Sequence, residues 1–196
     1  MTAPAGRTYR GLPLGELLEE VSSPEPMPGA GYCAAVALEM AAGLVAMAAR
    51  VSRAEWGEAR GAAAQATTLR ERIAPLAERN VDAYREAVAL LDGAESGGGD
   101  EPLRDALARA AGIPLEIAEV AVDVASLAAV VAERGELALR ADAVSAALLA
   151  EAAARAAATL VEVNLGTTSA DERVARARDL AGSATAAAQR ARHTLG

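Results

Sequence analysis

Alanine fills 54 of the 196 positions, while phenylalanine is absent and only one tryptophan and three tyrosines occur. Alanine loses no side-chain entropy on entering a helix and is the strongest helix former. The β-branched and aromatic residues that favour strands are few. The valines that do occur fall at helical spacing rather than alternating. The chain therefore reads as all-α, an antiparallel bundle of about five long helices plus a short N-terminal helix.

Turn residues place the elements. A short helix is expected over 14–21, then a loop over 22–31 with Pro24, Pro26 and Pro28, then a long helix over 32–52. The next helix runs over 56–91, with Pro75 as a kink or break. The glycine-rich stretch 92–101 reads as a surface loop. A helix over 102–133 is interrupted at Gly112-Ile113-Pro114, and the last two helices cover 137–165 and 169–193. Residues 1–12 read as a flexible N-terminus and 13–194 as a single domain. Three apolar stripes read as core: Ile113, Ile117, Val120, Val124, Leu127, Val131; Val36, Met40, Leu44, Met47, Val51; and Leu76, Tyr84, Val88, Leu91. A chain this rich in small apolar residues has spare apolar faces, so a homodimer is expected.

The missing residue types exclude whole chemistries. There is no lysine, one cysteine (Cys33) and one histidine (His193). That rules out an internal disulfide, a Cys/His zinc site, a phosphate-loop NTPase and a Schiff-base enzyme. A Ser-His-Asp or Cys-His device would depend on His193, near a chain end. Catalysis would have to run on carboxylates, amides, hydroxyls, arginines and backbone groups, or on a metal bound by carboxylates, for which no carboxylate-rich helix pair is seen. No metal site is expected. A net charge of −8 with few aromatics argues against nucleic-acid binding. The N-terminus lacks the apolar core of a signal peptide, and Glu39, Arg50, Glu151 and Arg155 interrupt the apolar helices, so no membrane partner is expected. The reading is a soluble cytoplasmic protein.

Five polar features stand in places that need a reason. Pro28-Gly29-Ala30-Gly31 leads straight into a helix, where backbone N–H groups could meet an anion or simply close an interhelix turn. Asn80 lies four residues from both Leu76 and Tyr84, on an apolar stripe, as a structural amide or a ligand contact. Asp142 begins a helix, as a first-turn charge or a functional carboxylate. Asn164 ends the same helix, as a cap or a site residue. Glu39 sits on a small-residue face with Tyr32, Ala35, Ala42 and Ala46, and could pair with an arginine or face a cleft.

In order and spacing these features resemble the cyclodeaminase/cyclohydrolase family. That family comprises the C-terminal domain of formiminotransferase-cyclodeaminase and stand-alone bacterial methenyltetrahydrofolate cyclohydrolases. The landmarks are Ser22-Ser23-Pro24, Pro28-Gly29-Ala30-Gly31, Asn80-Val81-Asp82-Ala83-Tyr84, Pro114-Leu115-Glu116-Ile117-Ala118, the Asp142 segment and Val161-Glu162-Val163-Asn164-Leu165. Pro28, Gly29, Gly31, Asp142 and Asn164 match the family pattern. Ala30 stands for a glycine, Tyr32 for a serine, Asn80 for an aspartate and Leu160 for an asparagine.

The resemblance implies a tetrahydrofolate derivative as substrate and no further cofactor. Cyclohydrolases add water to the methenyl carbon of 5,10-methenyltetrahydrofolate; cyclodeaminases expel ammonia from 5-formiminotetrahydrofolate and close the same ring. It further implies Asp142 as the carboxylate beside the cationic carbon; the acid–base group that Asn80 cannot supply would have to be replaced by Glu39 or Asp82. Pro28, Gly29, Gly31, Tyr32, Asn80 and Asn164 would bind substrate. The other reading is a catalytically inactive homologue, a dimeric helical protein that binds a folate-like ligand or a partner.

Overall fold

The computed structural model describes residues 8–25, 27–54, 56–94, 100–166 and 170–196. Among them, seven α-helices and no strand occur: α1 Leu14–Ser22, α2 Ala30–Val51, α3 Ala59–Ala94, α4 Asp100–Ala110, α5 Gly112–Arg134, α6 Arg140–Leu165 and α7 Glu172–Arg192. The five long helices and the short leading one are as expected. Pro75 lies inside α3 without ending it, so α3 runs 36 residues, a rod of roughly 54 Å at 1.5 Å per residue. Much of the expected loop 92–101 is helix, up to Ala94 and again from Asp100. Residues 95–99, the first seven residues and Ser169 lie outside the described residues. The break before α5 falls at Ala111, and Pro114 then sits in the first turn, where a missing N–H costs nothing. Gly166 ends α6 with φ +89°, a conformation that side chains resist.

Central helix α5 packs against α2, α3, α6 and α7, and α2 lies between α3 and α6. Four contacts fix the two ends of the bundle. At one end Asn80 of α3 touches Gly31 of α2, and the Arg173 guanidinium donates to the Ala108 carbonyl at 2.7 Å. At the other, the Ser52 hydroxyl accepts the Glu136 N–H at 2.7 Å and Arg140 donates to the Thr194 carbonyl at 2.9 Å. Arginine forks tie the rods in register, as in Arg79–Glu116 between α3 and α5 (2.8 and 2.9 Å) and Arg176–Glu119 between α7 and α5 (2.9 and 2.6 Å). These pairs are exposed, so each stabilises by at most about 1 kcal/mol.

Alanine builds the core. The buried residues of α6 are eight alanines with Val144 and Val161. Small side chains let helix backbones approach, which replaces area per residue with many close contacts. The α5 stripe is buried from Ile117 to Val131 as expected. The α2 stripe is not. Met40 is 54% exposed and Val51 57%, while Ala34, Ala35, Leu38, Ala41, Ala42, Val45, Ala48 and Ala49 face inward. Tyr84 on α3 is exposed as well. Met40, Met47 and Val51 lie on the outer face of α2, while its inner face is mostly alanine with Tyr32, Leu38 and Val45.

Two further expectations change. Residues 8–12 are not loose: Tyr9 is 3% exposed and belongs to the core, so the domain begins before residue 13. The segments 30–54 and 137–165 are long and apolar enough to cross a membrane by length and composition, despite Glu39, Arg50, Glu151 and Arg155. Both are packed side by side in the bundle, with 56% and 50% of their most apolar windows buried there.

Candidate functional site

The start of α2 is built around a close approach. Gly29 caps the helix in an extended conformation, and the Cys33 N–H closes the first turn onto the Gly29 carbonyl at 3.2 Å. At Gly31 an added Cβ would lie 2.2 Å from Asn80 Oδ1, 2.5 Å from its Cγ and 2.6 Å from its Nδ2. The half-buried Asn80 amide therefore occupies the space that any side chain at 31 would need. Two residues that sequence spacing singled out separately form one contact between α2 and α3.

Tyr32 follows directly and is fully buried, its ring edge-on to Tyr9 with centroids 5.8 Å apart. Burial, helped by the nearby Glu78 carboxylate, pushes its hydroxyl up to about 12, so it stays neutral and can only donate or accept a hydrogen bond. The Tyr9 hydroxyl donates to the Met27 carbonyl at 3.4 Å, directly before Pro28. Burial also pushes the half-buried Cys33 thiol up, away from thiolate reactivity.

Glu39 lies two turns along α2 and is not free. Arg10 grips both of its oxygens, at 3.0 and 2.8 Å, and also donates to the Ala74 carbonyl at 2.8 Å. Of the two readings of Glu39, pairing with an arginine is the one found, and the arginine comes from the N-terminal segment rather than from across the bundle. Glu78 is a site residue that sequence reasoning missed. Its Oε1 accepts from Thr8 Oγ1 at 2.9 Å and from the Tyr9 and Arg10 N–H groups at 2.8 Å each. No sequence signal marks it, because its partners lie about 70 residues away in a segment without periodicity.

Asn164 is half-buried in the last turn of α6, at the bundle end that carries Gly31 and Asn80: its neighbour Leu165 packs in one cluster with Leu115 at the start of α5, next to the Glu116 that pairs with Arg79. Asp142 is half-buried in the first turn of the same helix, at the opposite end. Asn164 lies 22 positions after Asp142, which corresponds to roughly 33 Å of helix. Within one chain the structure thus gathers Pro28, Gly29, Gly31, Tyr32 and Asn80, with Glu39 close by and Asn164 at the same end, and leaves Asp142 far from all of them. Among the described residues no three His, Cys, Asp or Glu side chains converge as a metal would require. A polar hollow of about 200 Å³ lies between α3 and α5, lined by Arg72, Leu76, Arg79, Glu116, Glu119 and Val120. The Arg79–Glu116 ion pair forms part of its wall, and the hollow is small for a ligand of folate size.

Comparison with known proteins bears on this arrangement. Residues 13–181 match the family model described as formiminotransferase-cyclodeaminase. The fold is similar to the crystal structure of a formiminotetrahydrofolate cyclodeaminase from Thermotoga maritima, with TM-score 0.84 and 24% identity over 94% of this chain and 96% of that one. No curated protein sequence matches significantly.

Proposed function

The chain belongs to the formiminotransferase-cyclodeaminase family, and from that premise we propose that it works on a folate one-carbon unit, as a methenyltetrahydrofolate cyclohydrolase or a formiminotetrahydrofolate cyclodeaminase. The observation that carries the reading is the Gly31–Asn80 contact, which keeps a side-chain amide and a bare helix N-terminus together at one end of the bundle. An amide suits the paired donor and acceptor edge of a pterin, and helix N–H groups suit the anionic glutamate tail. In the cyclohydrolase direction, water adds to the methenyl carbon, the bond to one ring nitrogen breaks and a proton leaves. A carboxylate beside the cation lowers that barrier, and Asp142 is the candidate for it. Asn80 can bind but cannot transfer a proton. The balanced reaction needs no cofactor besides the folate, and a reducing, cytoplasmic setting fits the single thiol.

A second copy is part of this proposal. Met40, Met47 and Val51 on α2 are exposed, as is Leu148 on α6, the helix that α2 packs against. Two adjacent rods about 30 Å long present roughly 600 Å², close to the ~800 Å² per partner of a stable interface. An antiparallel pairing across this face carries Asp142 of one copy to the Asn164 end of the other.

The second reading, an inactive folate binder, draws on Asn80, where the family pattern has an aspartate, and on the occupied Glu39. The decay of methenyltetrahydrofolate near-ultraviolet absorbance with purified protein separates the two. Turnover above the buffer rate supports the enzyme. A thermal shift with folates but no turnover supports the binder. Neither response removes both.

A further inference from the structure

Residues 8–10 lie ahead of the family match, yet their contacts land on each element around the Gly31–Asn80 contact. Glu78, two residues before Asn80 on α3, accepts two successive backbone N–H groups and the Thr8 hydroxyl on one oxygen. A carboxylate held by consecutive amides in this way is a strong fastening, because each hydrogen bond is charge-assisted. Arg10 reaches α2 through Glu39 and α3 through the Ala74 carbonyl, so one guanidinium spans both helices. Tyr9 is buried between Tyr32 and the Met27 carbonyl, behind the turn that leads to Pro28. Residues 8–10 are thus fastened at three points around one groove.

We propose that residues 8–10 are a strap that positions the 27–31 loop and the α2–α3 groove, with Glu78, Arg10 and Glu39 as positioning residues rather than acid–base groups. Glu78 holds the strap's backbone, the Arg10–Glu39 fork sets the distance between α2 and α3, and Tyr9 supports the loop from behind. That the loop binds substrate rests on the folate reading above; that the strap orders the loop does not.

Hydrogen exchange tests the strap without any ligand. In the wild-type chain the Tyr9 and Arg10 amides are protected. In Glu78→Ala they exchange freely, and the Cys33 amide, which closes the loop onto Gly29, exchanges at least about tenfold faster, while α7 amides are unchanged. Arg10→Ala gives the same Cys33 response and serves if Glu78→Ala does not fold. With methenyltetrahydrofolate, Arg10→Ala raises KM about tenfold and leaves the shape of the kcat pH profile as it was; the swap Arg10→Glu with Glu39→Arg recovers most of that KM. Unchanged exchange at Cys33 overturns the proposal. So does an altered pH profile in Arg10→Ala, or a dead swap variant, either of which makes Glu39 a proton-transfer group. A wild-type chain that neither binds nor turns over folate sinks the functional reading alone, and the Cys33 exchange still decides the strap.

Discussion

Substituting Gly31 by alanine isolates the contact on which the site is built. The new Cβ would stand 2.2 Å from Asn80 Oδ1, against an ordinary contact of at least 3.4 Å. The amide must retreat by more than 1 Å, out of a half-buried position between two helices. Overpacking of that kind costs about 1–3 kcal/mol. The substitution also gains about 0.5–1 kcal/mol, because alanine loses less backbone entropy in a helix than glycine. The net loss, taking matching ends of the two ranges, is about 0.5–2 kcal/mol, a fall in Tm of about 1–8 °C for a domain of this size. Asn80→Ala removes the obstacle. In that background Gly31→Ala keeps only the helix gain and raises stability by about 0.5–1 kcal/mol. The sign of the effect therefore reverses between backgrounds, with a coupling of about 1–3 kcal/mol. Urea unfolding followed by circular dichroism at 222 nm measures all four corners of the cycle. If Gly31→Ala has the same effect with and without Asn80, to within about 0.5 kcal/mol, the amide does not dictate the glycine and the site loses its structural basis.

Four other outcomes follow from the same structure. If copies pair across the α2 outer face as proposed, Met40→Glu puts a charge there and light scattering shows monomer where the wild-type chain shows dimer; a monomeric wild-type chain rejects that pairing. Mixing Asp142→Asn with Asn164→Ala after separate purification recovers about one quarter of wild-type turnover by random subunit assortment; no recovery rejects a shared site. Arg173 holds the Asp171 carboxyl down at about 2 through side-chain and backbone hydrogen bonds at the start of α7. Its folded value is depressed, so its contribution is complete above about pH 4 and is lost as pH falls toward 2; Tm against pH is shallower there for Asp171→Asn, and added salt weakens the effect because the group is exposed. Tyr32 is raised to about 12, so its contribution is complete below about pH 10 and is lost as pH rises toward 12; a Tyr32→Phe chain loses less stability over that interval.

The helices were legible from alanine and from most of the prolines and glycines, although Pro75 does not end α3 and helix extends into 92–101 from both sides. The direction in which one helix faces was not. Large apolar residues at heptad spacing ordinarily mark the core, and on α5 they do: Ile117, Val120, Val124, Leu127 and Val131 are buried. On α2 the same spacing marks the outside, since Met40 and Val51 are more than half exposed while Ala35, Ala42 and Ala49 are buried. The hydrophobic pattern identifies a helix with two apolar faces; it does not say which face the chain covers itself. On α2 the covered side is mostly alanine with Tyr32, Leu38 and Val45 among it, so bulk alone does not tell the two faces apart.

The site divides along the same line. Gly31 and Asn80 were each marked by a local oddity, a glycine at a helix start and an amide on an apolar stripe, and both oddities have one cause. The partners of Glu39 and Glu78 were not legible, because a strap is held by backbone N–H groups that every residue carries. For Asp142 the sequence held more than residue type alone conveys. With Asn164 placed 22 positions later on one unbroken helix, the rise per residue already separates the two by roughly 33 Å, far beyond the length of any ring system they could share. One active site can use both only if it takes them from different chains. A family resemblance that assigns both residues to substrate is therefore, for this chain, also a statement about how two copies pair, and mixing the two single variants tests both statements together.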